Sequence, residues 1–135
     1  MPTIVRNHLE PGTVRYEFHD FPIPVSDWPY RVATLAQAVQ DERGDNAFWT
    51  FETRAFERQS AYDWEALESL ATEQDVQRDR VRSLATAKQY KRVTEADRQN
   101  GVDRGVTAKP TMFVNGEIVE QWTYDNLARA IDDAR

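Results

Sequence analysis

Alternating apolar and polar residues predict a strand near the start of the chain. Val14, Tyr16 and Phe18 fall on one side of residues 13–20, and polar side chains fall on the other. That period of two is typical of a strand with one buried face. Two prolines follow within residues 21–24, and a proline cannot donate to a sheet ladder. We therefore expect the strand to end there.

A second region, close to the C-terminus, predicts a β-hairpin. Residues 111–114 and 117–119 are rich in β-branched and aromatic side chains, which strands favour. Asn115-Gly116 between them suits a two-residue type I′ turn, because both positions need a positive φ. Pro110 marks the start of the first strand, since it has no backbone N–H to donate.

Between these regions the apolar spacing changes to the helical period and predicts five helices over residues 26–105. Gly44 is a natural end for the first helix. Asp45 and Asp63 are placed to cap the second and third, and Thr123 a last helix after the hairpin. Helix by helix, the side chains predicted to lie inward are Val32, Leu35, Ala36 and Val39; Phe48, Phe51, Ala55 and Phe56; Leu67, Leu70 and Ala71; Val81, Leu84 and Ala85; Tyr90, Val93 and Ala96; and Leu127, Ala128, Ile131 and Ala134.

The first ten residues allow two interpretations. Apolar residues and His8 recur at helical spacing over residues 4–9, and Pro11-Gly12 would end such a helix. The β-branched run at residues 3–5 would instead suit a short strand. We expect the helix.

Composition limits the classes of partner. With 135 residues and 40% hydrophobic content, the chain is expected to form one domain that buries about two-thirds of its surface. A net charge of −6 makes nucleic acid a poor partner, because phosphate binding needs clustered basic side chains. No apolar run approaches the roughly 20 residues of a membrane helix. As written, we expect a cytoplasmic protein with no membrane partner, a signal or anchor upstream of Met1 being left open.

Sulfur and metal chemistry are both restricted. The chain has no cysteine, so thiolate nucleophiles, disulfides and Cys-ligated metals are excluded within it. Its two histidines, His8 and His19, are far apart in sequence, whereas a zinc site needs three or four convergent ligands. We predict no metal, no cofactor and no catalytic residue.

Three stretches form a set that is more specific together than separately. They are residues 14–23 (VRYEFHDFPI), residues 47–49 (AFW) and residues 105–116 (GVTAKPTMFVNG), with further matches at Tyr124, Leu127, Ile131-Asp132 and Ala134. This set resembles the DsbA-type branch of the thioredoxin superfamily, and the resemblance covers essentially the whole chain.

The resemblance implies an α/β, thioredoxin-like fold in a single domain. Residues 1–25 and 106–135 would form the thioredoxin-like part, and residues 26–105 would be an inserted helical block. It also implies a cis peptide bond between Lys109 and Pro110, beside backbone that pairs with an extended peptide substrate. The candidate peptide-binding residues are therefore Ala108, Lys109, Pro110 and Thr111.

The beginning of the sequence departs from that family. Relatives have a first strand and then Cys-x-x-Cys at a helix N-terminus, where the thiolate is stabilised. Residues 1–10 resemble the inside of that helix, so the first strand and the helix start are predicted to be missing. Loss of a central strand would leave a gap of about 10 Å with two open sheet edges. Three outcomes stay open: a true start upstream of Met1 that supplies the strand and the cysteines, a homo-oligomer that uses the edges, or direct pairing of the second strand with the hairpin.

Several other residues can be interpreted either as functional or as purely structural. The aromatic set Phe48, Trp49, Phe51 and Phe56 would line a peptide groove or, as we expect, belong to the core. Trp28 and Trp64 are either partner anchors or packed side chains. His19 is expected to point outward from a strand and His8 to lie on a helix surface, neither being catalytic. The acid pairs Asp41-Glu42 and Asp132-Asp133 are expected to be solvated.

Three functions are considered from these residues and the resemblance. The first is a protein like the DsbA-family thiol–disulfide oxidoreductases that is itself redox-inactive, because exchange requires a thiolate. The alternative is a non-catalytic peptide- or protein-binding module that uses the loop around Pro110. A third, a cysteine-free glutathione-using transferase or isomerase, would need a hydroxyl near the missing strand.

Overall fold

The middle of the chain folds into a run of helices in the computed structural model, which describes residues 2–135. The elements in chain order are α1 (Pro2–Ile4), continued by a π-helical turn at Val5–Leu9; α2 (Trp28–Arg43); α3 (Asp45–Glu57); α4 (Trp64–Thr72); a 3₁₀ turn at Arg78–Arg80; α5 (Val81–Ala85); α6 (Lys88–Asp103); β1 (Phe113–Val114); β2 (Glu117–Ile118); and α7 (Tyr124–Asp133). The five predicted helices of the middle region are confirmed.

The described residues divide into two compact units. The helical unit is His19–Asp103. The hairpin unit joins the described residues up to Phe18 with Arg104–Arg135. Each unit has its own buried cluster of apolar side chains.

Helix α2 is the centre of the helical unit and packs against α3, α4, α5 and α6. Its side chains are buried on most sides, and Leu35, Ala36 and Val39 are completely inaccessible to solvent. Two of these three are small or β-branched, which allows the neighbouring helices to approach closely. The core residues predicted for α2, α4 and α5 are all buried, which confirms those predictions.

Helix ends in this unit follow the residues that the sequence suggests. Gly44, between α2 and α3, has φ = 87°, a left-handed conformation that glycine adopts without penalty. The carboxylate of Asp63 caps α4 by accepting the Ala66 amide at 2.7 Å. Asp45 does not cap α3; Gly44 occupies that position and Asp45 lies in the first turn, where its charge favours the helix dipole.

Four residues predicted to lie inward are exposed, which corrects the inward faces of α3, α6 and α7. Phe56 is 70% exposed and Val93 is 43% exposed, and Ala96 and Ala134 are exposed as well. Phe56 follows the buried Ala55 directly, and neighbouring helical residues point about 100° apart. The buried residues of α6 are instead Tyr90 and Thr94, four positions apart.

The hairpin unit is built on a small cluster formed by α1 and α7. Ile4, Leu127 and Ile131 are buried together, with Val14, Met112, Val114 and Val119 packed against them. The helical interpretation of the first ten residues is confirmed from residue 2 onward, and a strand at residues 3–5 is wrong. His8 is only 8% exposed, so the expected surface position is also wrong. Its neighbour one turn away, Ile4, shows that this side of the helix faces the cluster.

The predicted hairpin turn is confirmed. Asn115 and Gly116 have φ values of 46° and 90°, and they join two antiparallel strands in which Val114 faces Glu117 and Phe113 faces Ile118. The ladder continues to the bond from the Val119 amide to the Met112 carbonyl at 2.9 Å. The last helix is capped as predicted, since the Thr123 hydroxyl accepts the Asn126 amide at 3.3 Å.

The strand predicted at residues 13–20 is wrong. Within the described part of the chain the sheet has two strands only, β1 and β2, so residues 13–20 do not form a strand of it. Direct pairing with the hairpin, one of the three outcomes left open, does not occur there. Tyr16 is 37% exposed and Phe18 39% exposed. Alternation marks an extended chain, but a strand also needs a neighbour to accept its hydrogen bonds.

Nowhere in residues 2–135 is there a helix long and apolar enough to span a membrane.

Candidate functional site

The loop at residues 108–111 lies in the hairpin unit, directly before β1. Ala108, Lys109 and Pro110 are exposed and Thr111 is half-buried. The peptide bond between Lys109 and Pro110 is cis. The Thr111 hydroxyl donates to the Ala108 carbonyl and closes the loop across three residues. The side chain of Lys109 thus stands on a short, internally bonded loop that leads straight into a strand.

A second cation lies beside β1. The guanidinium of Arg104 sits 4.2 Å from the centre of the Phe113 ring, a distance at which a cation and an aromatic face attract each other. This contact orients Phe113, the first residue of β1, and brings a positive charge to the hairpin.

The register of the hairpin determines which backbone groups of β1 are available. Val114 and Glu117 flank the two-residue turn, so they form the hydrogen-bonded pair, and Phe113 with Ile118 forms the non-hydrogen-bonded pair. The bond between Val119 and Met112 continues this alternation. The N–H and C=O groups of Phe113 therefore point away from β2, and those of Thr111 follow the same direction two residues earlier.

This outer edge of β1 has no strand partner within residues 2–135. An unpaired edge can accept an additional extended chain as a new strand. The site residues expected from the sequence are thus adjacent to a row of backbone donors and acceptors, which is the chemistry of peptide pairing. No cysteine is present to add redox chemistry. The described residues also contain no group of three or more His, Asp or Glu side chains placed to hold a metal ion.

The aromatic set of α3 does not form a hydrophobic groove. Phe48 and Phe51 are buried in the core, while Trp49 contacts Phe48 edge to face at 5.2 Å. A surface groove of about 370 Å³ does run beside Trp49, but its other walls are Thr50, Thr53, Arg54 and Glu57. The expected core role is confirmed for Phe48 and Phe51 and is wrong for Trp49, which is 38% exposed, and for Phe56.

Trp28 and Trp64 are packed against each other. Their rings meet edge to face at 5.3 Å, and both pack on the core of the helical unit. The Arg31 guanidinium lies 4.6 Å from the Trp28 ring and 5.0 Å from the Trp64 ring. These contacts favour the packed interpretation over partner anchors.

The helical unit contains a cluster of acids that the sequence did not predict. Asp20 is only 5% exposed, and its carboxylate accepts from Gln37 at 2.9 Å. Burial raises the pKa of Asp20 to about 6, the nearby charge of Asp97 adding to this and the Gln37 bond opposing it. Glu52, half-buried on α3, has its pKa raised to about 8 by burial and by the charge of Asp20.

His19 belongs to the same cluster. Its Nδ1 lies 3.1 Å from Asp97 Oδ1, so it is not simply an outward strand residue. Asp97 follows His19 by 78 positions in sequence. No local pattern could have joined them, and the only signal was the pair of polar residues just before Pro22.

Comparison with known proteins bears on the whole chain. A family model described as Thioredoxin matches residues 1–133. The chain belongs to the thioredoxin family. The two other comparisons, with curated proteins and with solved structures, found no match.

Membership of the thioredoxin family agrees with an α/β chain of mixed helices and a small two-stranded sheet. It relates this chain to thiol–disulfide oxidoreductases, whose chemistry uses a thiolate. The chain itself has no cysteine. Its relation to the family therefore lies in the fold rather than in a redox centre of its own.

Proposed function

We propose that this chain is a redox-inactive thioredoxin-family protein that binds an extended peptide along the outer edge of β1. The loop Ala108-Lys109-Pro110-Thr111 would receive one end of that peptide. The observation that carries the proposal is the open edge beside this loop, in a chain without cysteine.

The absence of cysteine excludes one class of reaction for the chain by itself. Thiol–disulfide exchange begins with attack of a thiolate on a disulfide sulfur. The sulfur atoms of this chain belong to its two methionines, which cannot form a mixed disulfide. Once thiol–disulfide exchange is excluded, the function that we propose for this oxidoreductase-like chain is the recognition of a polypeptide.

The edge supports recognition through the backbone. Thr111 and Phe113 are two residues apart on one side of the strand, which matches the spacing of hydrogen bonds to an added strand. Lys109 and Arg104 add positive charge near this edge, which favours a peptide carrying acidic side chains.

We also propose the DsbA-type branch as the place of this chain in the family, with residues 26–105 as its helical insertion. The stretches at residues 14–23 and 105–116 support this assignment. The thioredoxin-like part would then consist of residues 1–25 and 106–135. The same open edge supports a second proposal, that two copies of the chain pair with each other when no peptide is present.

An NMR titration tests peptide binding directly. The probe is the insulin B chain with its cysteines carboxymethylated, which is unfolded, acidic at the modified positions and unable to exchange disulfides. We expect the amide signals of Thr111 and Phe113 to move most, because these groups point outward. The Val114 amide, which bonds within the hairpin, should move much less.

Three variants sharpen this test. Phe113→Pro removes an outward N–H and should weaken binding by about tenfold, the effect of one lost backbone hydrogen bond. Ile118→Pro removes the corresponding N–H from the opposite edge and should leave binding unchanged. Phe113→Ala removes the ring that contacts Arg104 but keeps the N–H, so its effect isolates the side chain. Equal losses for Phe113→Pro and Ile118→Pro would refute edge pairing.

Insulin reduction and light scattering test the remaining proposals. The chain should reduce insulin no faster than buffer containing the reductant alone, and turnover above that background would contradict redox inactivity. Light scattering should give a mass above the 15.7 kDa of one chain, and Phe113→Pro should return it to that value. A monomer at all concentrations would eliminate self-pairing while leaving peptide binding to stand on its own test.

A further inference from the structure

The segment His19–Pro22 is fastened to the helical unit at both of its ends. At the far end, Arg98 Nε donates to the Pro22 carbonyl at 3.2 Å, and its guanidinium lies 5.6 Å from the Phe21 ring. At the near end, the contacts run through His19 and Asp20. Arginine stays charged throughout the accessible pH range, so the far end does not depend on pH.

At the near end, the carboxylate of Asp97 contacts both His19 and Asp20. Asp97 Oδ2 accepts the backbone N–H of Asp20 at 3.0 Å, and Asp97 Oδ1 lies 3.1 Å from His19 Nδ1. Gln37 on α2 donates to Asp20 Oδ2 at 2.9 Å. One turn of α6 and one side chain of α2 thus hold both the backbone and the carboxyl of Asp20.

The groups that face this near end are mostly acids. His19 and Asp20 come from the segment itself, α2 contributes the neutral Gln37, α3 contributes Glu52, and α6 contributes Asp97 with Arg98 beyond it. The pKa of Tyr62, after α3, is raised by burial and by the charge of Glu52, so the phenol stays neutral as the carboxyls ionise. Burial raises the pKa of Asp20 to about 6 and that of Glu52 to about 8.

The charge of this group therefore grows as the pH rises. In mildly acidic solution Asp20 and Glu52 are protonated and add no charge beside Asp97. In mildly alkaline solution both are carboxylates, and each adds a negative charge to the cluster. Like charges brought together at a partly buried site repel each other more strongly than they do in bulk water.

We propose that His19-Asp20 is a pH-operated clasp, which holds the start of the segment on α6 in mildly acidic solution and releases it in mildly alkaline solution. Release removes the bond from the Asp20 amide to Asp97, while Arg98 keeps Phe21 and Pro22 in place. The segment is the start of the helical unit. Opening of the clasp therefore makes His19 and Asp20 more mobile, and the helices stay folded.

Two NMR measurements on the unmodified protein test the clasp. The Asp20 carboxyl carbon should titrate near pH 6. The hydrogen-exchange protection of the Asp20 amide, after correction for base catalysis, should fall by about tenfold or more between about pH 5 and pH 9. Amides in the middle of α2 should keep their protection over the same range. An Asp20 carboxyl that titrates below about pH 4.5, or an amide whose protection ignores pH, would overturn the proposal.

Matched variants separate the charge from the fold. Asp20→Asn keeps an acceptor for Gln37 but cannot ionise, so its amide should remain protected in alkaline solution. Glu95→Gln, an exposed acid on the same helix as Asp97, should behave as the unmodified protein does. If Asp20→Asn does not fold, Glu52→Gln serves in its place, because it removes the last carboxylate to form and should leave more protection at about pH 9. Loss of protection in Asp20→Asn equal to that of the unmodified protein would contradict the clasp.

Discussion

The helical unit and the hairpin unit differ in how their interiors are built. In the helical unit, Phe51, Leu35 and Leu67 are completely inaccessible to solvent and belong to one large cluster. In the hairpin unit, the buried cluster of the described residues is Ile4, Leu127 and Ile131, each 5–7% exposed. One unit is held by a continuous core and the other by a few contacts.

The difference separates the unit that supplies most of the buried core from the unit that carries the proposed binding edge. A large core resists local opening, whereas a unit with few buried contacts opens at lower cost. The candidate loop and the open edge of β1 both belong to the hairpin unit. Binding a further strand would add the backbone bonds that a two-stranded sheet lacks. The following predictions test this division of roles.

The largest effect is expected for Phe51→Ala, which would empty the centre of the helical core. Removing a fully buried phenylalanine costs about 3–5 kcal/mol of unfolding free energy. Phe56→Ala on the same helix is the control, because Phe56 is 70% exposed and its truncation should cost about 0.5 kcal/mol or less. Urea denaturation followed by circular dichroism measures both. Similar losses for the two variants would mean that α3 does not bury the face described.

The second effect is local to the hairpin unit. Leu127→Ala should cost about 2–3 kcal/mol, because its side chain is 7% exposed and its surroundings can close partly over the space left. Hydrogen exchange should accelerate in β1, β2 and α7 and stay unchanged in α2. Arg129→Ala, an exposed position on the same helix, is the control. Equal acceleration in α2 would show that the two units open together, and the comparison would fail.

The third prediction concerns acidity in the helical unit. The pKa of Asp20 rises from 3.8 to about 6 on folding, and that of Glu52 from 4.5 to about 8. A group with a raised pKa binds its proton more tightly in the folded state, so its stabilisation is complete below the unfolded pKa and is lost as pH rises through the folded one. These two groups should therefore lower the unfolding free energy steadily as the pH rises from 5 to 8.5.

Denaturation at a series of pH values measures this slope. Asp20→Asn should make the dependence shallower, and Asp133→Asn, an exposed acid of the hairpin unit, should not. A slope of the same size in both variants would place the effect elsewhere.

The smallest effects are expected when one helix cap is removed from each unit. The Asp63 carboxylate accepts the Ala66 amide at 2.7 Å, and the Thr123 hydroxyl accepts the Asn126 amide at 3.3 Å. We expect Asp63→Ala to cost about 1 kcal/mol and Thr123→Ala about 0.5 kcal/mol, since the shorter bond involves a charge. Thermal unfolding and hydrogen exchange of the first turns measure them. The reverse order would show that the hairpin unit depends on its cap more than its small core suggests.

Local signals predicted the elements whose bonds close within a few residues. The helices from α2 to α6 were predicted because an amphipathic period and residues such as Gly44 and Asp63 act within one turn. The hairpin was predicted because Asn115-Gly116 selects its own turn. The strand at residues 13–20 was predicted wrongly, since alternation says nothing about whether a partner strand exists.

The candidate site was predictable only in part. The family resemblance selected the loop from Ala108 to Thr111, and the register of the hairpin then identified Phe113 as an outward backbone position. The exposure of Phe56 and Val93 depended on which neighbour each helix meets, and that choice is not encoded in the period of a single helix.

Residue types and short-range bonds are enough to give this chain a run of amphipathic helices and one tight hairpin, and to leave it without thiolate chemistry. The open edge of β1 and the clasp at Asp20 arise only when the chain is folded. The first depends on which strands meet, and the second joins Asp20 to a carboxylate 77 positions away. Burial then raises the pKa of Asp20, and burial is a property of the assembled fold.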